Sequence, residues 1–301
     1  MSAPRVCVVI PAYDSATWLA GTLASVAAQT FKDFEVVLVD DGSQDGTADL
    51  AGRELSRHGL RHTVVRQANR KIAAARNAGV AAAAAPLIAF LDSDDLWRPG
   101  KLSRVVGLLD ARPELDVVCH AEDIVEQGRL LEVRRYGPAY PDMFDAMLFK
   151  GCLMSTSATT LRRAAFETAG GFREDPRYNT VEDYDLWIRL GRTCRFLFLD
   201  EVLGTYCYES RSSSRKIVYH HENLVALLRD HFKELYGDYP TLLQRLRMRR
   251  RLGAAYRSAL GTLMTYGEDP TAQRGYALKM LGAMPADPKN AWRFACWLAG
   301  A

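Results

Sequence analysis

Asp92, Asp94 and Asp95 stand within four positions of one another after the apolar run 88–91, and no basic residue follows until Arg98. Like charges crowded at the end of a buried strand repel one another. A second apolar run, 35–39, ends in Asp40 and Asp41 ahead of the turn-forming GSQDGT. Helix capping accounts for one acid per strand end, but five at two strand ends call for more. Mg2+ or Mn2+ takes oxygen ligands and is held by one or two carboxylates together with substrate phosphates. The pattern therefore suits a cation site that recruits a diphosphate. A third acidic group lies in TVEDYDLWIRLGR, where Asp183 shares one helical stripe with Leu186, Trp187 and Leu190, while Glu182, Asp185 and Arg189 fall on the polar side. An acid leading an apolar stripe points inward, and partial desolvation brings a carboxyl into the working range of a general base. The competing reading is a cap, with Thr180 as the capping residue and Asp183 three positions on.

These acids need a scaffold that gathers them. Three runs, VCVVI (6–10), EVVLV (35–39) and LIAFL (87–91), are apolar on both faces and read as buried parallel strands. Helical patterns lie between them: SATWLAGTLASVAAQ, DGTADLAGRELSRHG stopping at Gly59, and the alanine-rich KIAAARNAGVAAAAA ended by Pro86. Alternation of strand and helix predicts an α/β fold with a doubly wound, mostly parallel sheet flanked by helices, its ligand bound beyond the carboxyl ends of the strands. A weaker strand is expected over 116–125, a loop at YGPAYPDMF, and further strand and helix character through CRFLFLDEVLGTYCY. From residue 216 onward the pattern is helical and basic. The domain reading is 1–215 as the ligand-binding and catalytic domain and 216–301 as a helical C-terminal extension.

The 301-residue chain is 48% hydrophobic and 25% charged, ordinary for a globular protein with a sizeable core. Its net charge of +3 conceals an asymmetry: residues 211–301 carry 15 Lys and Arg against 7 Asp and Glu, the remainder 24 against 29. Six cysteines without CxxC spacing favour reduced thiols in the cytoplasm over a disulfide framework or a zinc site. The five-residue apolar run before Pro11 is too short for a signal peptide, and the stretch 78–91 is broken by Pro86 and cannot span a bilayer. The basic run RLRMRRRL and the closing NAWRFACWLAG, with Trp292, Phe294 and Trp297, suit peripheral contact at the inner face of a membrane, with ordinary packing on the host domain as the alternative. Nucleic acid is not expected as a partner, because the run is short and no binding motif accompanies it. Homodimer formation is left open.

The segments VVIPAYDSATWLAGTLASVAAQTFKDFEVVLVDDGSQDGT, AARNAG, IAFLDSDDLWRPGKL, GGF and EDYDLWIRL, in this order over roughly residues 5–210, resemble the inverting glycosyltransferases of family 2, which have the GT-A fold. The resemblance implies a nucleoside diphosphate sugar donor, UDP or dTDP favoured, a glycan or lipid-linked acceptor, and Mg2+ or Mn2+ as cofactor. It places Pro11 and Tyr13 at the nucleotide, with the Tyr13 ring stacked on the base. Asp41 would accept the imino N–H of the base and Asp40 would meet the ribose. Arg76 would reach the nucleotide, with a solvated helix arginine as the alternative. Asp92, Ser93 and Asp94 form the DxD motif, with Asp94 the metal ligand and Asp92 on ribose or on a metal-bound water. Asp95 equally suits a cap on the next helix. Asp183 would be the base that deprotonates the acceptor for a single inverting displacement. The family's glycine in NRKIAAARN is replaced here by Lys71, suited either to phosphate or to the surface. After GTYCY, Glu209 and the basic Arg211, Arg215 and Lys216 form a Ser-rich segment that suits either a lid over the phosphates or a solvated loop.

Other classes fit less well. A nucleotidyltransferase would show a glycine-rich basic loop after the first strand, and a Rossmann dehydrogenase a glycine-rich turn, whereas the chain has PAYDSATW. A non-catalytic sugar-nucleotide-binding scaffold would keep Asp41 without needing Asp183.

Overall fold

The computed structural model describes residues 3–208, 217–266 and 269–299. The chain divides into two compact units. The first comprises Met1–Met147, Cys152–Glu174 and Glu182–Glu209, and the second Leu148–Gly151, Asp175–Val181 and Ser210–Ala301.

The first unit is built on a nine-stranded sheet. Strands β1 (Val6–Ala12), β2 (Phe34–Asp40), β3 (His62–Arg66) and β4 (Leu87–Phe90) run parallel in the order β3-β2-β1-β4. The three apolar runs are thus strands, and all seven β1 residues are buried. Pro11 lies inside β1, past Val9↔Phe90, the last register pair with β4, so its missing N–H removes no bond on that side. The edge strand β3 escaped the sequence reading because its five residues are only partly buried and mostly lack an apolar alternation.

Beyond β4 the sheet turns mixed. β8 (Thr159–Arg162) lies antiparallel between β4 and β6 (Val117–Glu126), and β6 pairs parallel with β9 (Phe196–Cys207). The short β5 (Leu96–Trp97) closes against β9, and β7 (Arg129–Arg134) forms a hairpin on β6. Only half of the sheet is therefore the parallel doubly wound arrangement.

Helices α1 (Leu19–Ala27), α2 (Thr47–Arg57) and α3 (Lys71–Ala81) make the crossovers, followed by α4 (Lys101–Ala111), α5 (Met143–Lys150), α6 (Arg163–Thr168) and α7 (Glu182–Leu190). α3 approaches the sheet closely because it presents Ala73, Ala74, Ala75 and Gly79 as buried residues. A Cβ on Gly79 would fall 2.5 Å from Val9 Cγ1, so nothing larger than glycine fits without displacement. That approach carries Arg76, on the same helix, into the interior.

The second unit contains α8 (Ile217–Tyr236), α9 (Leu242–Tyr266), α10 (Pro270–Ala283) and α11 (Pro288–Leu298). Its core gathers Ile217, Val225, Tyr256, Leu260, Leu263, Tyr276 and Met280. Asp269 and Asp287 cap α10 and α11 with a proline at the first helical turn, satisfying N–H groups the helix itself leaves open. Of the three aromatics near the end of the chain, Phe294 and Trp297 pack against this core, while Trp292 is exposed. Among the described residues no helix is long and apolar enough to cross a membrane.

Candidate active site

The acids at the ends of β2 and β4 sit on one edge of the parallel sheet, as the topology dictates. The Asp41 amide donates to Ala12 O at 2.9 Å, extending the β1–β2 ladder by one step. Asp41 is buried, and its Oδ1 accepts from Gln67 Nε2 (2.7 Å) and the Arg70 amide (2.9 Å). Asp40 Oδ1 accepts from the Ser43 amide at 3.2 Å and shapes the following turn. Tyr13, one residue past β1, is 52% exposed and offers a ring to solvent. Ser93 is held by Ser15, hydroxyl to hydroxyl at 2.9 Å, and its carbonyl accepts from Thr22 Oγ1 at 2.9 Å.

The three aspartates after β4 have different surroundings. Asp92 and Asp94 are partly exposed. Asp95 is 1% exposed, and its carboxylate takes the Ser157 hydroxyl (2.5 Å) and the Cys207 amide (2.9 Å). It serves as an anchor inside the sheet unit; the cap on the next helix does not form, since α4 begins only at Lys101. Burial pushes the Asp95 carboxyl well above the ordinary range, and the neighbouring Asp94, Glu122 and Asp92 add to that. Desolvation raises the Tyr206 phenol as well, and Asp95, Asp94 and Asp92 add to the rise. Negative charge is thus concentrated around the end of β4.

Arg76 answers part of that charge. Its Nη2 donates to Asp92 Oδ1 and its Nη1 to Glu182 Oε1, both at 2.7 Å, and the guanidinium lies 5.3 Å from the Phe172 ring centroid. With 2% exposure and both terminal amino groups on carboxylates, it sits between α3, the end of β4 and the start of α7. Burial alone would lower its pKa; Asp92 and Glu182 more than offset this and raise it.

α7 corrects the helical-wheel reading. Glu182 and Asp185, placed on the polar side by pattern, are 4% and 0% exposed, whereas Asp183 is partly exposed. Asp185 is paired with Arg189 at 2.6 Å and Arg173 at 3.3 Å, and Glu182 with Arg76. Burial raises the Glu182 carboxyl to about 7, with Arg76 opposing and Asp183 adding to the rise. Asp183 accepts from Thr156 Oγ1 at 3.1 Å and from the Tyr184 amide at 2.6 Å. Thr180 is not its capping partner: that residue has φ 78, and its hydroxyl meets His220. Asp185 and Arg189 form an i,i+4 pair on α7. Arg76 and Glu182, 106 residues apart, gave no such signal.

Ser157 lies in the segment MSTSATT, residues 154–160. It is buried, its hydroxyl accepts from the Asp92 amide at 3.1 Å and donates to Asp95, and its carbonyl accepts from Trp97 Nε1 at 2.8 Å. With Thr156 on Asp183, the MSTSATT segment fastens both the Asp92–Asp95 turn after β4 and the acid at the head of α7. Lys71, in the place where the resemblance leads one to expect glycine, has φ 72, the left-handed conformation glycine adopts without penalty. Glu209, Arg211, Arg215 and Lys216 lie outside the described residues.

A family model described as Glycosyl transferase family 2 matches residues 7–170, more than half of the chain. The chain belongs to glycosyltransferase family 2. An uncharacterised glycosyltransferase from Nostoc sp. (strain PCC 7120) is 33% identical over 168 residues, 54% of this chain and 52% of that protein. The chain thus spans about half the length of that relative. The amylovoran biosynthesis glycosyltransferase AmsB from Erwinia amylovora is 31% identical over 218 residues, 69% of this chain and 71% of AmsB. Among solved structures, S. aureus TarS 1-349 in complex with UDP-GlcNAc superposes with a TM-score of 0.62 at 16% identity, covering 98% of this chain and 92% of that one. The mannosyltransferase PcManGT from Pyrobaculum calidifontis, in complex with GDP-Man and Mn2+, superposes with a TM-score of 0.60 at 21% identity, covering 100% of this chain and 86% of that one. The family 2 fold is thus the GT-A fold, mixed α/β with a helical C-terminal region.

The carboxylates at the end of β4 have the oxygen-donor chemistry that suits a hard cation. Asp92 and Asp94 offer partly exposed carboxylate oxygens at the end of β4, and Mg2+ or Mn2+ needs one or two such ligands when phosphates supply others. Among the described residues no group of three or more His, Cys, Asp or Glu gathers to enclose a metal by protein alone. Asp92 and Asp94 therefore fit a cation shared with a substrate's phosphates.

Proposed function

We propose that this family 2 glycosyltransferase moves a sugar from a nucleoside diphosphate sugar to an acceptor hydroxyl, with inversion at the anomeric carbon and dependence on Mg2+ or Mn2+. The observation that carries the reading is the junction of β4 and α7: Asp92 and Glu182 share Arg76, so the DxD end and the residue beside Asp183 belong to one cluster. The nucleotide side is assigned to Pro11, Tyr13, Asp40, Asp41, Asp92 and Ser93. The exposed Tyr13 ring is available for stacking, and Asp41 Oδ2 for an imino N–H.

Asp94 and Asp92 would hold the cation, which when bound screens the charge on the departing diphosphate. Asp183 takes the proton from the acceptor hydroxyl, and the oxygen attacks the anomeric carbon from the side opposite the nucleotide. One displacement of this kind inverts the centre and needs no covalent enzyme intermediate. Thr156 and the Tyr184 amide keep the Asp183 carboxylate oriented. We place these functions in residues 1–215.

The bound ligands of the two structural neighbours, UDP-GlcNAc and GDP-Man with Mn2+, support a nucleotide sugar without choosing the base. The name of AmsB supports a polysaccharide or related glycan as product. Peripheral contact with an anionic membrane face is supported by the first turns of α9, where the exposed Leu242, Leu243 and Leu246 lie among Arg245, Arg247, Arg249 and Arg250. Incubation with UDP-, dTDP- and GDP-sugars and Mn2+ tests the activity. Metal-dependent release of a nucleoside diphosphate from at least one donor is expected. Retained nucleotide binding without turnover of any donor would leave a non-catalytic scaffold.

A further inference from the structure

We infer that the interior of the sheet unit contains a binding site for a single water molecule, formed by His120 and Glu122 of β6 with Lys101 of α4, against Gly204 of β9. The site goes beyond the donor and acceptor reading and does not depend on it.

Two orphaned atoms point to the ligand. His120 Nε2 and Glu122 Oε1 are buried, and neither has a hydrogen-bond partner among the described residues. Both residues are 0% exposed, and they stand two apart on one strand, so they share a face of the sheet. His120 Nδ1 lies 2.9 Å from Ala121 O. A carbonyl only accepts, so Nδ1 carries the proton and Nε2 of the neutral ring keeps a lone pair. Burial lowers the His120 ring to about 3, with Lys101 adding to the fall, which keeps the ring neutral. Glu122 Oε2 already accepts from Tyr136 at 2.7 Å, and Ser155 also favours the charged carboxyl. The two open atoms of this ionised pair are both acceptors. They cannot bond one another, and a molecule with two hydrogens to give joins them. When Glu122 takes up a proton, the same molecule accepts from it and still donates to His120. Water does both.

The backbone marks the same place. β6 follows β9 in register up to His120↔Leu199, then skips to Ala121↔Val202 and to Glu122↔Gly204. A bulge of this kind interrupts the ladder locally. Gly204 faces the pair: a Cβ there would fall 3.0 Å from His120 Cε1 and 3.4 Å from Glu122 Oε1. Groups that approach one point so closely are within reach of one bridging water, which spans about 5–6 Å.

Lys101 decides between water and a cation. Its ammonium is fully buried, donates to Thr160 Oγ1 at 2.8 Å and lies 3.6 Å from the Trp97 ring centroid. Glu122 acts on Lys101, and Lys101 on His120, so the three groups share one environment. A bound cation would be repelled by this ammonium. A water accepts from Lys101 and donates to His120 and Glu122, about the three bonds a buried water ordinarily makes. The site thereby solvates a carboxyl that lies behind the Asp92–Asp95 turn, where Glu122 acts on Asp95 and Asp92 acts on Glu122.

The test uses crystals of the full chain at a resolution that shows ordered water, and nitrogen NMR of the chain labelled at histidine. A density peak about 2.7–3.2 Å from both His120 Nε2 and Glu122 Oε1 is expected. His120 should be protonated at Nδ1 alone, with its Nε2 resonance shifted as for a lone pair that accepts a hydrogen bond. In Gly204→Ala the added methyl crowds His120, so the peak should vanish and the Nε2 resonance should move to that of an unbonded nitrogen. A proton on Nε2 bonded directly to Glu122 would overturn the proposal. So would a wild-type map with both side chains in place and no peak between them, or a peak that gains anomalous signal in thallium, which marks a cation. Both signals persisting in Gly204→Ala would overturn the placement. Should that variant fail to fold, the wild-type map and tautomer still decide. None of these readouts requires turnover, so the functional reading can fail while the water site stands.

Discussion

Asp183 and Lys71 show how much one side chain can carry. Asp183 is partly exposed with one hydroxyl and one amide on its carboxylate, so Asp183→Asn keeps the shape of the site and removes only the proposed proton acceptor. Transfer should fall about 10³-fold while the affinity for UDP with Mn2+ stays within about 2-fold of wild type. Near-normal transfer by this variant would mean that the base lies elsewhere. Lys71 holds φ 72, which costs a residue with a Cβ about 1 kcal/mol. Lys71→Gly should therefore raise stability by about 1 kcal/mol, read as a higher denaturation midpoint with unchanged slope. Lys71 stands out in the sequence only by family resemblance, because a backbone angle is not announced by residue type.

At the level of elements, α3 and its neighbours decide where the charged groups meet. Gly79 lets α3 lie on β1, and an added Cβ would meet Val9 Cγ1 at 2.5 Å. Val9 is a fully buried branched residue with nowhere to retreat. Gly79→Ala should cost about 1–3 kcal/mol in chemical denaturation, through displacement of α3. Because Arg76 rides on that helix, kcat should fall in the folded variant as well. A Gly79→Ala variant of unchanged stability would show that α3 can shift freely. The strands β1, β2 and β4 and the helices between them were readable from apolar runs and turn residues. β3 and β5 were not: one is a half-exposed edge and the other has two residues, so neither has a pattern long enough to register.

For the molecule as a whole, buried acids make stability depend on pH. Glu122 is fully buried within β6, hydrogen-bonded by Tyr136 at 2.7 Å, and burial raises its carboxyl to about 7 from 4.5. A raised folded-state value means that the folded chain binds the proton more tightly than the unfolded chain. The stabilisation is complete below about pH 4.5 and is lost as pH rises through about 7. Glu182 has the same sign over the same window. Glu122→Gln should flatten the fall in unfolding free energy between pH 4.5 and 7, measured by urea denaturation at several pH values. An identical slope in variant and wild type would count against the buried carboxyl as its source. At the surface, Leu242→Asp with Leu243→Asp should abolish cosedimentation with vesicles containing anionic lipid and leave UDP binding intact. Equal cosedimentation of variant and wild type would remove α9 as the contact.

Residue order alone settled which acids stand at strand ends and that the sheet would bring the ends of β2 and β4 to one edge, because parallel strands joined by helical crossovers have no other outcome. It also carried the family resemblance, since the motifs are contiguous and ordered. Only the tertiary structure decided which acids face inward. Asp95, Glu182 and Asp185 are buried because partners from distant segments or a neighbouring turn compensate them, and Asp183 is left partly exposed beside them. Burial of a charge depends on what it meets, and a linear pattern records spacing without recording partners.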